Sequence, residues 1–229
     1  MIYVIADIHG EYDLLVKLLE KINFSSGDEL YVCGDMIDKG KYSVSTLKLL
    51  SSMSNVHCIL GNHEFAFLKY YWSLLEECNG NYDAVLAELK DYFPFDGELL
   101  DWETIGWLES LPYYIEKDNF ICVHAGIPIT LGGKLEDLSK VEPEEFVYDR
   151  HFKDAKTIPI TDKCIFFGHT PTSYIVGTPR IIAYKNARRS DRTDVSRYAK
   201  IHLDLGVWLH GTLGCYCASD LTAYYVSND

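Results

Sequence analysis

Hydrophobic residues in the first 65 positions follow two different periods. Ile2–Ala6, Leu30–Cys33 and Val56–Leu60 are short, mostly apolar runs of the kind that forms buried strands. Between these runs, apolar residues recur at the spacing of a helix: Leu14, Leu15, Leu18, Leu19 and Ile22, then Val44, Leu47, Leu49 and Leu50. Strands that alternate with helices through short connections predict parallel βαβ units.

The pattern changes near residue 112. The stretch from Glu64 to about Ser110 is predicted to be helical, and Pro112 follows its end. Seven short strands are predicted beyond it: Phe120–Val123, Lys163–Phe167, Tyr174–Val176, Ile181–Tyr184, Ile201–Leu203, Leu213–Cys217 and Leu221–Val226. Parallel units followed by short strands predict a mixed α/β domain with two sheets or one large mixed sheet. Without a repeat or a low-complexity linker, we expect a single domain over residues 1–229.

Composition excludes several classes of protein. Apolar residues make up 48% of the 229, which excludes a disordered chain, and no run approaches the roughly 18 apolar residues of a membrane span. The 21 basic and 34 acidic residues give a formal net charge of −13, so nucleic acid is not an expected partner. The first predicted strand follows Met1 directly, so no signal peptide is expected.

Cysteine usage favours a reducing compartment. Five of the seven cysteines lie in apolar runs, where cysteine behaves as a small buried hydrophobe: Cys33, Cys58, Cys122, Cys164 and Cys215. The number is odd and no C-x-x-C pair occurs, so neither a disulfide framework nor a zinc finger is indicated. We therefore expect a cytoplasmic protein.

Residues 180–200 are basic although the chain is acidic. They contain seven lysines and arginines against Asp191 and Asp194. A solvated, mobile loop is the simplest interpretation, because runs of charge usually face water. The alternative is a flap that attracts an anionic substrate.

Five of the predicted strands end in polar residues with a glycine beside them, which lets the backbone turn closely. In open α/β sheets, ligands bind beyond the carboxyl ends of the strands. Taken singly, D-x-H is often a surface pair and N-H-E often a helix start capped by the asparagine. Together, these ends supply six oxygen and nitrogen ligands: Asp7, His9, Asp35, Asn62, His124 and His169. Such a set is too large for one tetrahedral zinc and suits two divalent ions with five or six ligands each, with Asp35 as the candidate bridge.

The ordered motifs D-I-H-G, G-D-M-I-D-K-G, G-N-H-E, V-H-A-G and F-G-H-T-P resemble the phosphoprotein phosphatase family of calcineurin-like metallophosphoesterases. The likeness is greatest to its compact bacterial and phage serine/threonine phosphatases, and symmetrical diadenosine tetraphosphate hydrolases are relatives. It covers essentially the whole chain, with WLESLPYYI, Y-D-R and I-H-L-D-L-G as further landmarks. It implies an α/β fold, a β-sandwich of two mixed sheets flanked by helices.

The resemblance also implies a role for each candidate residue. The six ligands divide into two sets that share one carboxylate: Asp7, His9 and Asp35, then Asp35, Asn62, His124 and His169. His63 would protonate the leaving oxygen, and Asp38 would orient the His63 imidazole. Arg150 would clamp the phosphate, and Lys39 would add a second positive charge.

The activity implied is hydrolysis of phosphoserine and phosphothreonine. Two cations about 3.5–4 Å apart neutralise the phosphate and acidify a shared water, and the metal-bridging hydroxide attacks in line. Manganese is the expected metal, and iron or zinc also suits these ligands. The expected partner is a phosphorylated protein or a small phosphoester, with neither nucleic acid nor a membrane.

Three positions bear on the substrate. Lys39 stands where protein phosphatases usually carry arginine, which replaces a planar fork by a point charge. Asp38 and Glu64 favour the protein phosphatases, because the symmetrical dinucleotide hydrolases usually carry Ala and Asp there. Hydrolysis of diadenosine tetraphosphate or another small phosphoester is the alternative. A catalytically inactive metal-binding module is a third possibility, disfavoured because His63 and Asp38 are retained.

The remaining polar and aromatic residues are expected to be structural. Four histidines without ligand-spaced partners are expected in the core or on the surface: His57, His151, His202 and His210. Asp204 is expected to support the site from behind the ligands. Four tryptophans in apolar patterns are expected in the core: Trp72, Trp102, Trp107 and Trp208.

Overall fold

The structure is a computed structural model that describes residues 1–90, 92–93, 96, 98–130, 133–154 and 156–228. Within these residues the strands are β1 (Ile2–Ile5), β2 (Glu29–Val32), β3 (Val56–Cys58), β4 (Tyr114–Glu116), β5 (Phe120–Val123), β6 (Cys164–Phe167), β7 (Ile182–Lys185), β8 (Tyr198–His202), β9 (Thr212–Cys217) and β10 (Thr222–Ser227). The helices are α1 (Tyr12–Lys21), α2 (Ser43–Ser51), α3 (Asn62–Glu77), α4 (Tyr82–Leu89), α5 (Trp102–Ser110), α6 (Pro143–Tyr148), α7 (Ser173–Val176) and α8 (Val207–His210).

The described strands form two mixed sheets. The first has the order β10-β9-β1-β2-β3, in which β1, β2 and β3 are parallel, β9 is antiparallel to β1, and β10 is antiparallel to β9. The second has the order β4-β5-β6-β8-β7, with a parallel centre and an antiparallel strand at each edge. The predicted βαβ units and the two mixed sheets are thereby confirmed.

The two sheets pack face to face with helices outside, as the strand period requires. Val4 and Tyr31 of the first sheet share a buried cluster with Phe166 and Ile201 of the second. The alternate residues of the first sheet, such as Ile5, point to the other face and pack against α1, α2 and α3. Both faces of the central strands are therefore buried, which explains their continuous apolar runs.

The long helical stretch predicted from Glu64 to about Ser110 is interrupted, and its residues 91, 94, 95 and 97 lie outside the described ones. The first break follows α3, where Asn79 and Gly80 adopt left-handed backbone with φ of 51° and 73°. Asn81 and Asp101 then cap α4 and α5 by accepting from backbone N–H groups. The described part of this stretch is therefore helical in three pieces, α3, α4 and α5, which apolar spacing alone does not separate.

Two further predictions were wrong at the surface. Tyr174–Val176 was predicted as a strand but lies in α7, which Gly177 ends with a φ of 76°. Trp72 and Trp208 were predicted in the core but are 40% and 42% exposed. An apolar run of three residues has too little length to tell a strand from a helical turn, or a buried position from an exposed one.

The basic segment 180–200 is neither a loop throughout nor a flap over the predicted ligands. It contains β7, two short 3-10 turns and the first part of β8. Because Lys185 pairs with Tyr198 and Ile182 with His202, its residues from Lys185 to Arg197 lie at the end of β8 away from Asp204. Arg189 is buried and donates to the Tyr198 carbonyl.

All seven cysteines are free, and the five in apolar runs are buried. Among the described residues, no helix combines the length and the apolar character that a membrane crossing needs. The single domain expected over residues 1–229 stays a prediction.

Candidate metal centre

The predicted ligands lie at the carboxyl ends of parallel strands. Asp7 follows β1, Asp35 follows β2, Asn62 opens α3 after β3, His124 follows β5 and His169 follows β6. Backbone hydrogen bonds tie these loops together: Asp7 N to Gly34 O at 3.1 Å, His9 N to Asp35 O at 2.9 Å, and Gly168 N to His124 O at 2.8 Å. The two sheets therefore bring residues from five strand ends to one place.

The backbone of the site is held in an unfavourable region. Six of the predicted site residues have positive φ: Asp7 at 54°, His9 at 49°, Asp35 at 53°, Asp38 at 67°, Lys39 at 64° and His169 at 72°. Each such residue costs about 1 kcal/mol or more, so the surrounding contacts must impose the conformation. The turn conformation carries the side chains inward, where simple strand alternation would not have placed them.

Two glycines let the loops approach the carboxylates. A Cβ on Gly61 would lie 2.2 Å from Asp35 Oδ1, and one on Gly168 would lie 1.8 Å from Asp7 Oδ2. Both distances are far below a van der Waals contact, so any side chain there would push the carboxylate aside. The glycines that accompany the predicted ligands are thus needed for space.

Glu64 fixes the loop that carries Asp35. Its buried carboxylate accepts four backbone N–H groups, from Asp35 and Gly61 on Oε2 at 2.9 Å and 2.8 Å, and from Met36 and Ile37 on Oε1 at 2.7 Å and 3.1 Å. The helix start is therefore capped by Glu64, and not by Asn62. Sequence reasoning used Glu64 only to compare substrates and missed this role.

One group of acceptors converges between the two sheets. His124 Nδ1 donates to Cys33 O at 2.9 Å, so the lone pair of its Nε2 points the other way. That nitrogen faces Asn62 Oδ1 at 3.0 Å and Asp35 Oδ1 at 3.5 Å. His169 Nδ1 lies 2.9 Å from the same Asn62 oxygen, and its Nε2 is buried without a hydrogen-bond partner. Converging lone pairs of this kind repel one another unless a cation lies between them.

A second group shares the other oxygen of Asp35. His9 Nδ1 donates to Ile37 O at 2.9 Å, so its Nε2 is an acceptor, and it lies 3.6 Å from Asp35 Oδ2. Lys39 donates to that nitrogen at 3.0 Å. His63 Nε2 lies 3.9 Å from Asp35 Oδ2, so the atoms of His9, Asp35 and His63 are close enough to hold one ion. Asp35, His124 and His169 form the other such group, and Asp35 is common to both.

The pKa values of the site residues also suit metal binding. Burial lowers the pKa of His9 and His169 to about 2 and that of His124 to about 3, so these imidazoles are neutral, the form that ligates metals. Burial raises the pKa of Asp35 to about 6 and that of Asp204 to about 7. Neutral imidazoles beside buried carboxylates are groups that bind divalent metal ions, and such ions fit this cluster.

Asp7 lies beside these two groups rather than inside either of them. Its buried carboxylate accepts from His169 N at 3.0 Å and 3.1 Å. Burial, together with the charges of Asp204 and Asp35, raises the pKa of Asp7. Asp7 therefore positions His169 in this structure, and its predicted place as a ligand of the first ion stays a prediction.

His63 and Asp38 form a close pair at the edge of the site. His63 Nδ1 lies 2.7 Å from Asp38 Oδ2, and Ser43 Oγ accepts from Asp38 N at 3.0 Å. Burial lowers the pKa of His63, but the hydrogen bond to Asp38 and the charge of Asp35 raise it, and the net shift is upward. A half-buried imidazole whose charged form is favoured by a neighbouring carboxylate can donate a proton to a departing oxygen.

The two predicted phosphate-binding residues lie on different sides of the ligand groups. Lys39 contacts His9, as described above. Arg150 is exposed and lies near His169: burial lowers the pKa of His169 most, and the charges of His124 and Arg150 lower it further. The loop after Arg150 is held by buried Lys200, which donates to the carbonyls of Phe152 and Asp154. Sequence reasoning missed this support, since Lys200 counted only as part of a basic run.

Replacing Glu64 by Gln tests whether this carboxylate holds the loop. Gln offers one acceptor oxygen and turns an N–H₂ group toward two backbone donors, so we expect Glu64→Gln to lower the free energy of unfolding by about 2–5 kcal/mol. Urea denaturation of the metal-free protein measures it. Glu109→Gln is the matched control, since Glu109 accepts from Trp72 at 2.8 Å on the surface, and it should change stability by less than about 0.5 kcal/mol. Equal effects of the two substitutions would contradict the assigned role.

The chain is similar to known proteins of one kind, but the similarity extends over only part of their length. The chain is 32% identical over 127 residues to the symmetrical bis(5'-nucleosyl)-tetraphosphatase of Vibrio campbellii, a match that covers 55% of this chain and 44% of the relative. The chain thus matches about half the length of such relatives.

Solved structures share the fold at low identity. A crystal structure of a protein assigned provisionally as a diadenosine tetraphosphatase has a TM-score of 0.69 and 20% identity, covering 99% of this chain and 92% of the other. A cold-active protein-tyrosine phosphatase of a Shewanella species has a TM-score of 0.55 and 16% identity, covering 99% and 80%. One fold thus occurs in proteins with different named substrates, so the fold alone does not set the substrate.

The family is set by a match over most of the chain. The sequence model of the calcineurin-like phosphoesterases, a family that uses two divalent metal ions, matches residues 1–211. The two ligand groups that share Asp35 at the strand ends agree with this match. The chain belongs to the calcineurin-like phosphoesterase family.

Proposed function

We propose that this chain hydrolyses a dinucleoside tetraphosphate at a centre of two divalent metal ions. The observation that carries the two-metal chemistry is that Asp35 belongs to both groups of converging ligands. The substrate is supported by the similarity to symmetrical bis(5'-nucleosyl)-tetraphosphatases. Serine/threonine phosphatase activity, which the motifs alone favour, becomes the second candidate.

The proposed ligands are those named from the sequence: Asp7, His9, Asp35, Asn62, His124 and His169. Manganese is the proposed metal, and iron or zinc would suit the same mixture of carboxylate, amide and imidazole ligands. The free cysteines agree with a reducing compartment, and we propose the cytoplasm.

The residues of the chain divide the work of hydrolysis. Two bound divalent ions would neutralise the phosphate and acidify a water held between them. Lys39 and Arg150 bind oxygens of the polyphosphate, and the exposed position of both leaves room for a substrate longer than one phosphate. His63 donates its proton to the leaving oxygen, and Asp38 keeps the imidazole oriented and charged.

The second candidate rests on the contact of 2.7 Å between His63 and Asp38. A serine or threonine alkoxide is a poor leaving group and needs a proton from an acid. A nucleoside diphosphate leaves as a stabilised anion and needs that proton less. A well-formed acid pair is therefore more useful to a phosphomonoesterase, and this contact is the reason to test phosphoserine beside the dinucleotide.

A substrate comparison tests the proposal. We expect manganese-loaded protein to hydrolyse diadenosine tetraphosphate to two molecules of adenosine diphosphate, with a kcat/KM at least tenfold above that for a phosphoserine or phosphotyrosine peptide. Chromatography of the products measures both the rate and the position of cleavage. A preference for the phosphoserine peptide would establish the second candidate instead, and no hydrolysis of any of the three would favour a non-catalytic module.

Substitution of His63 tests its role as an acid. We expect His63→Asn to lower kcat for the phosphoserine peptide by about 10²–10⁴-fold, because a positioned acid contributes that much, and to lower kcat for the dinucleotide less. The metal content should stay that of the wild type. If metal content and turnover fell together, His63 would be a ligand, as its place 3.9 Å from Asp35 also permits. Asp38→Asn should show the same substrate pattern in weaker form.

A further inference from the structure

Trp208 lies at the surface directly beside the candidate site. The Nζ of Lys39 is 4.9 Å from the centre of the Trp208 ring and 3.0 Å from His9 Nε2. The two distances together place the ring within about 8 Å of that ligand nitrogen. Trp208 keeps 42% of its surface exposed, although it is among the largest apolar side chains. This exposed indole offers a flat apolar face to a ligand beside the lysine that we propose to bind phosphate.

The helix that carries Trp208 and the helix joined to it also expose apolar side chains. Helices α7 and α8 are joined by a hydrogen bond of 2.9 Å between His210 Nε2 and Ser173 Oγ. Both helices expose large apolar side chains at adjoining positions in the chain: Tyr174, Ile175, Val176, Trp208 and Leu209. The site thus has a cationic inner part, at Lys39, and an apolar outer part that begins at Trp208.

We propose that Trp208 is a specificity-determining residue, whose ring stacks on the base of a nucleotide while Lys39 binds the adjoining phosphate. The proposal deepens the proposed function and rests on it. A nucleoside polyphosphate carries its flat base one sugar away from its charge, and the same order of charge and then ring exists on the protein. A phosphoserine side chain has no ring to occupy the outer part.

The alternative role for Trp208 is to position Lys39 through the cation–π contact. That role would affect every phosphate ligand equally, whereas stacking affects only ligands that carry a base. Stacking of a base on an aromatic side chain corresponds to roughly a 5- to 150-fold change in affinity on removal of the ring. Two ligands that differ only in the nucleoside therefore separate the roles.

The test compares adenosine diphosphate with inorganic diphosphate on manganese-loaded protein, by calorimetry, so that it does not depend on turnover. We expect Trp208→Leu to raise the Kd of adenosine diphosphate about 5- to 150-fold and leave that of inorganic diphosphate within about twofold. Trp208→Phe keeps a ring and should retain most of the affinity. Trp72→Leu is the matched control, since Trp72 is 40% exposed and its indole N–H bonds Glu109 at 2.8 Å, and it should change neither Kd.

The outcomes are distinct. Equal weakening of both ligands by Trp208→Leu would assign Trp208 to positioning Lys39 and overturn the proposal, and so would no weakening of either. The rate of the wild type on diadenosine tetraphosphate decides the proposed function separately. If the wild type hydrolyses the dinucleotide and Trp208→Leu binds adenosine diphosphate normally, only the stacking proposal fails. If the wild type does not hydrolyse the dinucleotide but Trp208→Leu selectively weakens the binding of adenosine diphosphate, the nucleotide subsite is supported and the enzyme catalyses a different reaction.

Discussion

Buried acceptor atoms crowd around the carboxylate of Asp35, and the local structure depends on relieving their repulsion. Asp35 Oδ1 lies 3.5 Å from His124 Nε2 and Oδ2 lies 3.6 Å from His9 Nε2, while backbone carbonyls fix the other nitrogen of each ring. The lone pairs are thus aimed at two points on either side of one carboxylate. Burial keeps the imidazoles neutral, so the two rings carry no charge of their own that would offset the charge of the Asp35 carboxylate.

The fold imposes this crowding at a cost that other contacts offset. Left-handed backbone at Asp7, Asp35 and His169 turns the side chains into the cleft between the sheets. Glu64 offsets part of the cost by accepting four backbone N–H groups around Asp35. Strained backbone at such a site lowers the free energy of unfolding of the protein. Bound metal ions raise it again, because they bind only the folded state.

The sequence predicted the sheets well, because they depend on periodicity, and the candidate ligands follow the strands at one end of the two sheets. A parallel strand buried on both faces is a continuous apolar run, and its polar end marks where ligands gather. The errors have physical causes too. Three apolar residues at Tyr174–Val176 do not distinguish a strand from a helical turn, and the apolar pattern around Trp208 does not show that its ring lies at the surface beside Lys39. Glu64 and Lys200 were missed because most of their bonds go to backbone atoms far away in the sequence, which only the folded chain brings close.

The number of metal ions bound per chain tests the central claim most directly. Plasma mass spectrometry of protein loaded with manganese and freed of excess should give two ions per wild-type chain. Asp35→Asn should give fewer than one, because both ligand groups share that carboxylate, while Asp118→Asn on the surface should still give two. A single ion in the wild type, or two ions retained by a folded Asp35→Asn variant, would contradict the claim that two metal ions share the carboxylate of Asp35.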